Sequence, residues 1–179
     1  MPTGLDYLEF LNGQRQTREF TNEPVSDADI EALLETMRWT GSASNKQPWQ
    51  FLVVRDQTAK TALSQATEYT GWIADAPVLL VVLAAGPDAS AHSYDLGRVD
   101  ERILLASQAL GLGAGIVTFW SDASQTLART TLALPDDWSI YSAVAVGHPA
   151  ESARPARLGG RKERSELVHW DGFGTRSVG

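Results

Sequence analysis

From Ala76 to Ala85 the chain reads Ala-Pro-Val-Leu-Leu-Val-Val-Leu-Ala-Ala, without one polar or charged side chain. A strand with one face in water alternates apolar and polar residues, whereas this run would bury both faces. It is too short to cross a bilayer as a helix, which takes about 20 apolar residues. Pro77 suits the first position of a strand and is excluded from the middle of a sheet. The run therefore predicts an interior strand over Val78–Leu83. An interior strand commits the rest of the chain to covering it on two sides.

Amphipathic helices can supply that cover. Ile30, Leu33, Leu34 and Met37 recur at helical spacing, after Ser26 as N-cap and Asp29 as its capping partner. Gly41 is placed to end that helix in a left-handed conformation. Leu96, Val99, Ile103, Ala106 and Leu110 mark the longest helix, stopped by Gly111-Leu112-Gly113. Gln57–Tyr69 and Ser124–Leu132 read as helices, the second ended by Pro135. Leu5, Leu8 and Leu11 mark another, with Gly13 as its C-terminal cap. Phe51–Val54, Ile116–Trp120 and Tyr141–Val146 read as further strands. Helices and strands do not alternate strictly, which favours a layered α+β domain over a doubly wound sheet. The 179 residues fit a single domain over 1–179. From Ala150 the composition turns polar and basic, so residues 150–179 read as a C-terminal arm over the surface.

Several function classes drop out. The absence of cysteine excludes disulfides, thiolate metal sites, iron–sulfur clusters and cysteine nucleophiles. His92, His148 and His169 show no metal-ligand spacing, so no metal site is expected. Gly111-Leu112-Gly113 ends a helix rather than opening one, so it is no dinucleotide fingerprint. There is no P-loop and no Gly-x-Ser-x-Gly elbow. Asp95, Asp100 and Glu101 on the long helix read as solvent-facing or interfacial. A formal net charge of -7 and a pI near 4.9 argue against nucleic acid as partner. No signal-peptide pattern and no membrane span is read, so the expectation is a cytoplasmic protein with no membrane partner.

Three motifs remain. Arg15 and Arg18, in Arg15-Gln16-Thr17-Arg18-Glu19-Phe20, could grip a phosphate. Arg15 equally suits the C-terminus of the helix before it. Ser42, Ser44, Asn45 and Gln47 offer hydroxyls and amides just before Pro48-Trp49, a set able to read the edge of a planar heterocycle. They are also what a helix-to-strand connection ordinarily contains. Arg161, Lys162 and Arg164 form a cationic run near the end, either a solvated face or the closing side of an anion site. Cationic spots on an acidic chain suggest a small anionic ligand.

Taken together, in this order and spacing, the motifs resemble the FMN-dependent nitroreductase family. The family pattern Arg-Arg-Ser-x-Arg-x-Phe meets Gln14-Arg15-Gln16-Thr17-Arg18-Glu19-Phe20, with Gln14 and Gln16 as departures. Its loop Pro-Ser-Ser-x-Asn-x-Gln-Pro-Trp meets Gly41-Ser42-Ala43-Ser44-Asn45-Lys46-Gln47-Pro48-Trp49, which keeps Asn45, Gln47, Pro48 and Trp49. Gly111-Leu112-Gly113 matches a further segment, and Ile116-Val117-Thr118 falls where the family backbone passes the flavin. Arg161-Lys162 with Glu166-Leu167-Val168-His169-Trp170 resembles the family's closing segment. The resemblance implies an α+β sandwich with a central mixed, mainly antiparallel sheet flanked by helices. It also implies an obligate homodimer with FMN at the subunit interface. The residues it assigns to the cofactor are Gln14, Arg15, Gln16, Arg18, Ser42, Ser44, Asn45, Gln47, Ile116, Val117, Thr118, Arg161 and Lys162. Arg15, Arg161 and Lys162 would hold the phosphate, and Arg18 would stand beside the N1–C2 carbonyl region. No side chain need act as a nucleophile.

The implied reaction is hydride transfer from NAD(P)H to a nitroaromatic, quinone or similar acceptor by a ping-pong mechanism. Two alternatives stay open. One is another flavin reaction on the same scaffold: dehalogenation, ring oxidation or flavin breakdown. The other is a flavin-binding module without turnover.

Overall fold

A computed structural model describes residues 3–153 and 160–174. Four strands form its sheet: β1 (Trp49–Val54), β2 (Val78–Ala85), β3 (Gly113–Thr118) and β4 (Trp138–Gly147). Their order is β1-β2-β4-β3 and every pairing is antiparallel. β2 and β4 are central, and β2 is buried along nearly its whole length, as its composition requires. Val78, Leu80, Val82 and Ala84 point to one face of the sheet, where α2 (Asp27–Arg38) and α4 (Ser93–Ala109) pack on them. Leu79, Val81 and Leu83 point to the other, against α3 (Gln57–Leu63) and α5 (Asp122–Leu132). The two cores are thus the two faces of the same strands, which makes a helix–sheet–helix sandwich. Each fully buried Leu or Val contributes about 1.5–3 kcal/mol of transfer free energy.

The local signals explain most boundaries. Ser26 Oγ accepts the Asp29 N–H at 3.1 Å and caps α2. α2 ends at Arg38, and Gly41 does not take the left-handed conformation expected of it. Positive φ appears instead at Ser44, Asn45 and Gln47. α3 stops at Leu63 rather than Tyr69. The hydroxyl-rich stretch after it folds on itself: Thr70 Oγ1 donates to the Ser64 carbonyl at 2.8 Å and accepts the Thr67 N–H at 3.0 Å. Such local bonds outcompete a helix ladder. A 3₁₀ turn over Gly71–Asp75 then presents Trp72.

β3 begins at Gly113 and ends at Thr118, displaced from the expected Ile116–Trp120. Glycines give no strand pattern, yet here they are needed. A Cβ on Gly115 would collide with the Thr17 carbonyl and come within 2.8 Å of the Trp72 ring. Residues after α1 (Gly4–Gly13) run close along this edge, with the Thr17 N–H bonded to the Ala114 carbonyl at 2.9 Å. α1 buries no residue: Leu5, Leu8 and Leu11 are 71%, 55% and 49% exposed. In β4, Val82 pairs with Ser142 and Leu83 with Ile140, which leaves Tyr141 as an extra, bulged residue. Tyr141 and Ser142 consequently both face α4. Of the C-terminal arm, α6 (Arg164–Leu167) is described, while residues 154–159 and 175–179 lie outside the described residues.

Candidate cofactor site

β3 is an edge strand, and alternate residues of such a strand direct N–H and C=O away from the sheet. Ala114 and Ile116 do so: the Ala114 carbonyl accepts from Thr17, and the Ile116 N–H donates to Gln16 Oε1 at 3.0 Å. The segment after α1 thereby covers the first half of the edge. By the same alternation the Ile116 carbonyl and the backbone of Thr118 point outward where that cover ends. A cavity of about 370 Å³ lies there, lined by Ile116, Val117 and Thr118. Arg18, Thr67, Tyr69, Thr70, Trp72, Trp120 and Ser121 complete its wall.

The cavity joins a flat apolar surface, unpaired backbone groups and one cation. Arg18 sits 5.6 Å from the centre of the Trp72 ring and makes no ion pair among the described residues. Trp72 is backed by Phe20 at 6.3 Å. Trp120, 59% exposed, stands edge-on to Tyr141 at 5.3 Å. The sequence brought Arg18 and residues 116–118 forward as separate candidates, and the fold puts them on one wall. It did not single out Tyr69, Trp72 or Trp120. Six tryptophans are spread along the chain, and nothing in their spacing separates these two from core residues.

The other candidates lie elsewhere. Gln14 is the half-buried C-cap of α1. Arg15 Nη1 donates to the carbonyls of Asn12 at 2.8 Å and Gln14 at 2.6 Å, so it closes the end of α1. Arg161 and Lys162 are exposed ahead of α6, and no contact joins them to Arg15 or to the cavity among the described residues.

The Ser42–Gln47 loop folds tightly on itself. Ser42 Oγ accepts the Gln47 N–H at 2.8 Å, and Gln47 Nε2 donates to Asn45 Oδ1 at 3.2 Å. Ser44, Asn45 and Gln47 have φ of 51°, 55° and 50°. Left-handed non-glycine residues cost about 1 kcal/mol or more each and persist only where the surroundings over-determine them. One such constraint is Asp95 Oδ2, which accepts the Ala43 N–H at 3.0 Å. Arg98 Nη1 lies 3.7 Å from Asp95 Oδ1, and its guanidinium lies against Gly41, where an added Cβ would stand 3.0 Å from Nη2.

Asp95 and Asp100, read from sequence as solvent-facing or interfacial, are 8% and 5% exposed within the single chain, which overturns the solvent-facing reading. Both are turned inward, Asp95 to the loop and Asp100 to Ser142, whose Oγ donates to Asp100 Oδ1 at 2.6 Å. Burial pushes the Asp100 carboxyl up to about 7, and the Ser142 hydrogen bond only partly opposes this. Glu101 is exposed as expected.

Residues 11–70 and 56–148 match the model of the nitroreductase family. A protein of Archaeoglobus fulgidus, provisionally named an NADH dehydrogenase/NAD(P)H nitroreductase, is 31% identical over 150 residues, 80% of this chain and 86% of its own length. The FMN reductase [NAD(P)H] of Bacillus subtilis is 28% identical, over 86% of this chain and 70% of its own. Among solved structures, an FMN-dependent nitroreductase of Clostridium difficile superposes with a TM-score of 0.82 at 21% identity, covering 93% of this chain and 99% of its own. That likeness concerns the fold, and the family match rests on the sequence. The chain belongs to the nitroreductase family.

Proposed function

We propose that this protein is an FMN-dependent NAD(P)H oxidoreductase that reduces a nitroaromatic, quinone or similar small acceptor as a homodimer. The observation that carries the reading is the cavity beside β3. Its aromatic walls suit a planar ring, the outward Ile116 and Thr118 backbone groups suit the polar edge of that ring, and Arg18 supplies positive charge. These features fit a flavin. When bound, FMN would supply the hydride-accepting and hydride-donating chemistry.

The chain's own residues bind and orient. Ile116, Val117 and Thr118 would line the ring, and Gln16 would act one step behind by holding β3 through the Ile116 N–H. Arg18 would favour negative charge at the ring edge. Arg15, Arg161 and Lys162 would take the phosphate, which asks Arg15 to leave the α1 carbonyls. Ser42, Ser44, Asn45 and Gln47 would reach the ring held mainly by the other subunit. Nicotinamide and acceptor would use the one cavity in turn, which gives ping-pong kinetics. A partner subunit is supported by the exposed leucines of α1 and by an apolar groove beside it between α2 and α4, lined by Phe10, Leu105, Ala106, Ala109 and Leu110. The same reading takes the protein to be cytoplasmic. Among the described residues no helix is long and apolar enough to cross a membrane.

The test is direct. Chromatography of the chromophore released on denaturation should give FMN, and initial rates at several acceptor concentrations should give parallel double-reciprocal lines. FAD, haem or no chromophore even after reconstitution would remove the reading. Intersecting lines would mean two separate sites.

A further inference from the structure

The first turn of α4 touches two parts of the cofactor machinery: the loop that would serve the partner's flavin and the wall of this subunit's own cavity. Asp95 takes the Ala43 N–H of the Ser42–Gln47 loop, and the neighbouring Ser93 carbonyl accepts the Tyr141 hydroxyl at 3.3 Å. Tyr141, turned toward α4 by its bulge, is the surface on which Trp120 of the cavity wall rests. The loop needs an outside hold, because three of its six residues are left-handed and none of the three is glycine. Its internal bonds, Gln47 N–H to Ser42 Oγ and Gln47 Nε2 to Asn45, join it only to itself. The Asp95 bond spans the sequence from a long helix, is made by a buried carboxylate, and enters the loop at its start. Arg98, one turn on, sets its guanidinium against Gly41, where an added Cβ would make a tight 3.0 Å contact with Nη2.

We propose that Asp95 is a positioning residue of the cofactor site, fixing the Ser42–Gln47 loop in its left-handed form through the Ala43 N–H, with Arg98 bracing Gly41 beside it. The proposal rests on the reading of that loop as part of the cofactor site. Asp95 does not touch the reacting atoms. It sets where the loop amides stand relative to the helix that also holds the cavity wall. The chemistry asks only for an acceptor oxygen at that point, so asparagine can replace aspartate and leucine, of similar size, cannot.

The experiment compares Asp95→Asn, Asp95→Leu and Ala43→Pro with the unaltered protein. Ala43→Pro deletes the N–H itself. Ala43 opens a short 3₁₀ turn after an extended Ser42 (φ -136°, ψ 164°), a place that proline accepts. Amide hydrogen exchange of residues 44–47 is followed in the apo proteins, and FMN titration with the visible flavin spectrum in the loaded ones. Exchange about tenfold faster in the loop and FMN binding about tenfold weaker are expected for Asp95→Leu and Ala43→Pro, with Asp95→Asn near the unaltered protein. A shifted flavin spectrum should accompany them. Unchanged loop exchange would overturn the clamp. Faster exchange with unchanged FMN affinity and spectrum would overturn the link between loop and cofactor. Should Asp95→Leu fail to fold, Ala43→Pro decides alone. If the unaltered protein binds no FMN, it is the functional reading that fails, and the exchange arm still judges the clamp.

Discussion

A guanidinium drawn to an aromatic face keeps its hydrogen-bond donors, so Arg18 over Trp72 is held in place and still able to meet an anion. Arg18→Ala should lower the reduction potential of the bound flavin by at least about 30 mV, equivalent to 1.4 kcal/mol for two electrons. Spectroelectrochemical titration reads this, and an unchanged potential would place the cation elsewhere. Arg161→Ala should weaken FMN binding by about 1.5–3 kcal/mol, the scale of a charged hydrogen bond. Riboflavin, which lacks the phosphate, should bind the variant as before. Equal losses for both ligands would assign Arg161 to the fold. The buried carboxyl of Asp100 makes a third statement. Its folded pKa of about 7 stands above the unfolded value of 3.8. The native state therefore holds an extra proton between those values, and the stability this contributes is full below about pH 4 and lost by about pH 7. The span corresponds to several kcal/mol, on the order of 1.4 per unit. Asp100→Asn carries no such titration. Relative to the unaltered protein it should gain stability as pH rises from 4 to 7, measured by urea unfolding at each pH. A constant difference would show that Asp100 is ionised throughout.

Among the elements, the ones read well from sequence are those whose pattern and burial agree. β2 needed two covered faces, and α2 and α4 carried the stripes to cover one of them. Leu80→Ala, in the centre of that contact, should cost about 2–5 kcal/mol. Ser26→Ala should cost about 1 kcal/mol through the lost cap of α2. Denaturant midpoints at fixed slope check both, and a near-zero loss at Leu80 would contradict the sandwich. Legibility failed where structure comes from close approach or competition. β3 was displaced because Gly113 and Gly115 are strand residues chosen for their lack of a side chain against Thr17 and Trp72. α3 was over-extended because periodicity does not register the hydroxyl bonds of Thr67 and Thr70. At the site, residue type pointed to Arg18 and the family resemblance to residues 116–118, but only the fold could show that they share a wall. Asp95 and Asp100 looked like ordinary helix-surface acids, since nothing local announces a partner in a distant loop or strand.

For the whole molecule, the exposed side of α1 is where the proposed homodimer can be tested. Leu5, Leu8 and Leu11 stand in solvent beside an apolar groove, a surface of the kind that marks an interface. Leu8→Glu combined with Leu11→Glu should leave the fold of one subunit intact, because neither side chain is buried within it. In sedimentation velocity the doubly altered protein should run as a monomer, and it should have lost FMN. A dimer that survives both charges would move the interface to another face.

The strand order also governs how the chain reaches this state. β1-β2-β4-β3 makes the second strand wait for the fourth: Val78 finds Val146 and Leu83 finds Ile140 only when most of the polypeptide has been made. Non-local antiparallel pairing of this kind is slow, and until it occurs Val78–Ala85 lies open on one edge. During synthesis, then, the most apolar segment of the chain leaves the ribosome well before the strand that shelters it. Nascent chains arrested near residue 130, with β2 outside the ribosome and β4 not yet made, should be strong chaperone clients, and full-length chains held by an added C-terminal linker long enough to clear the exit tunnel should not.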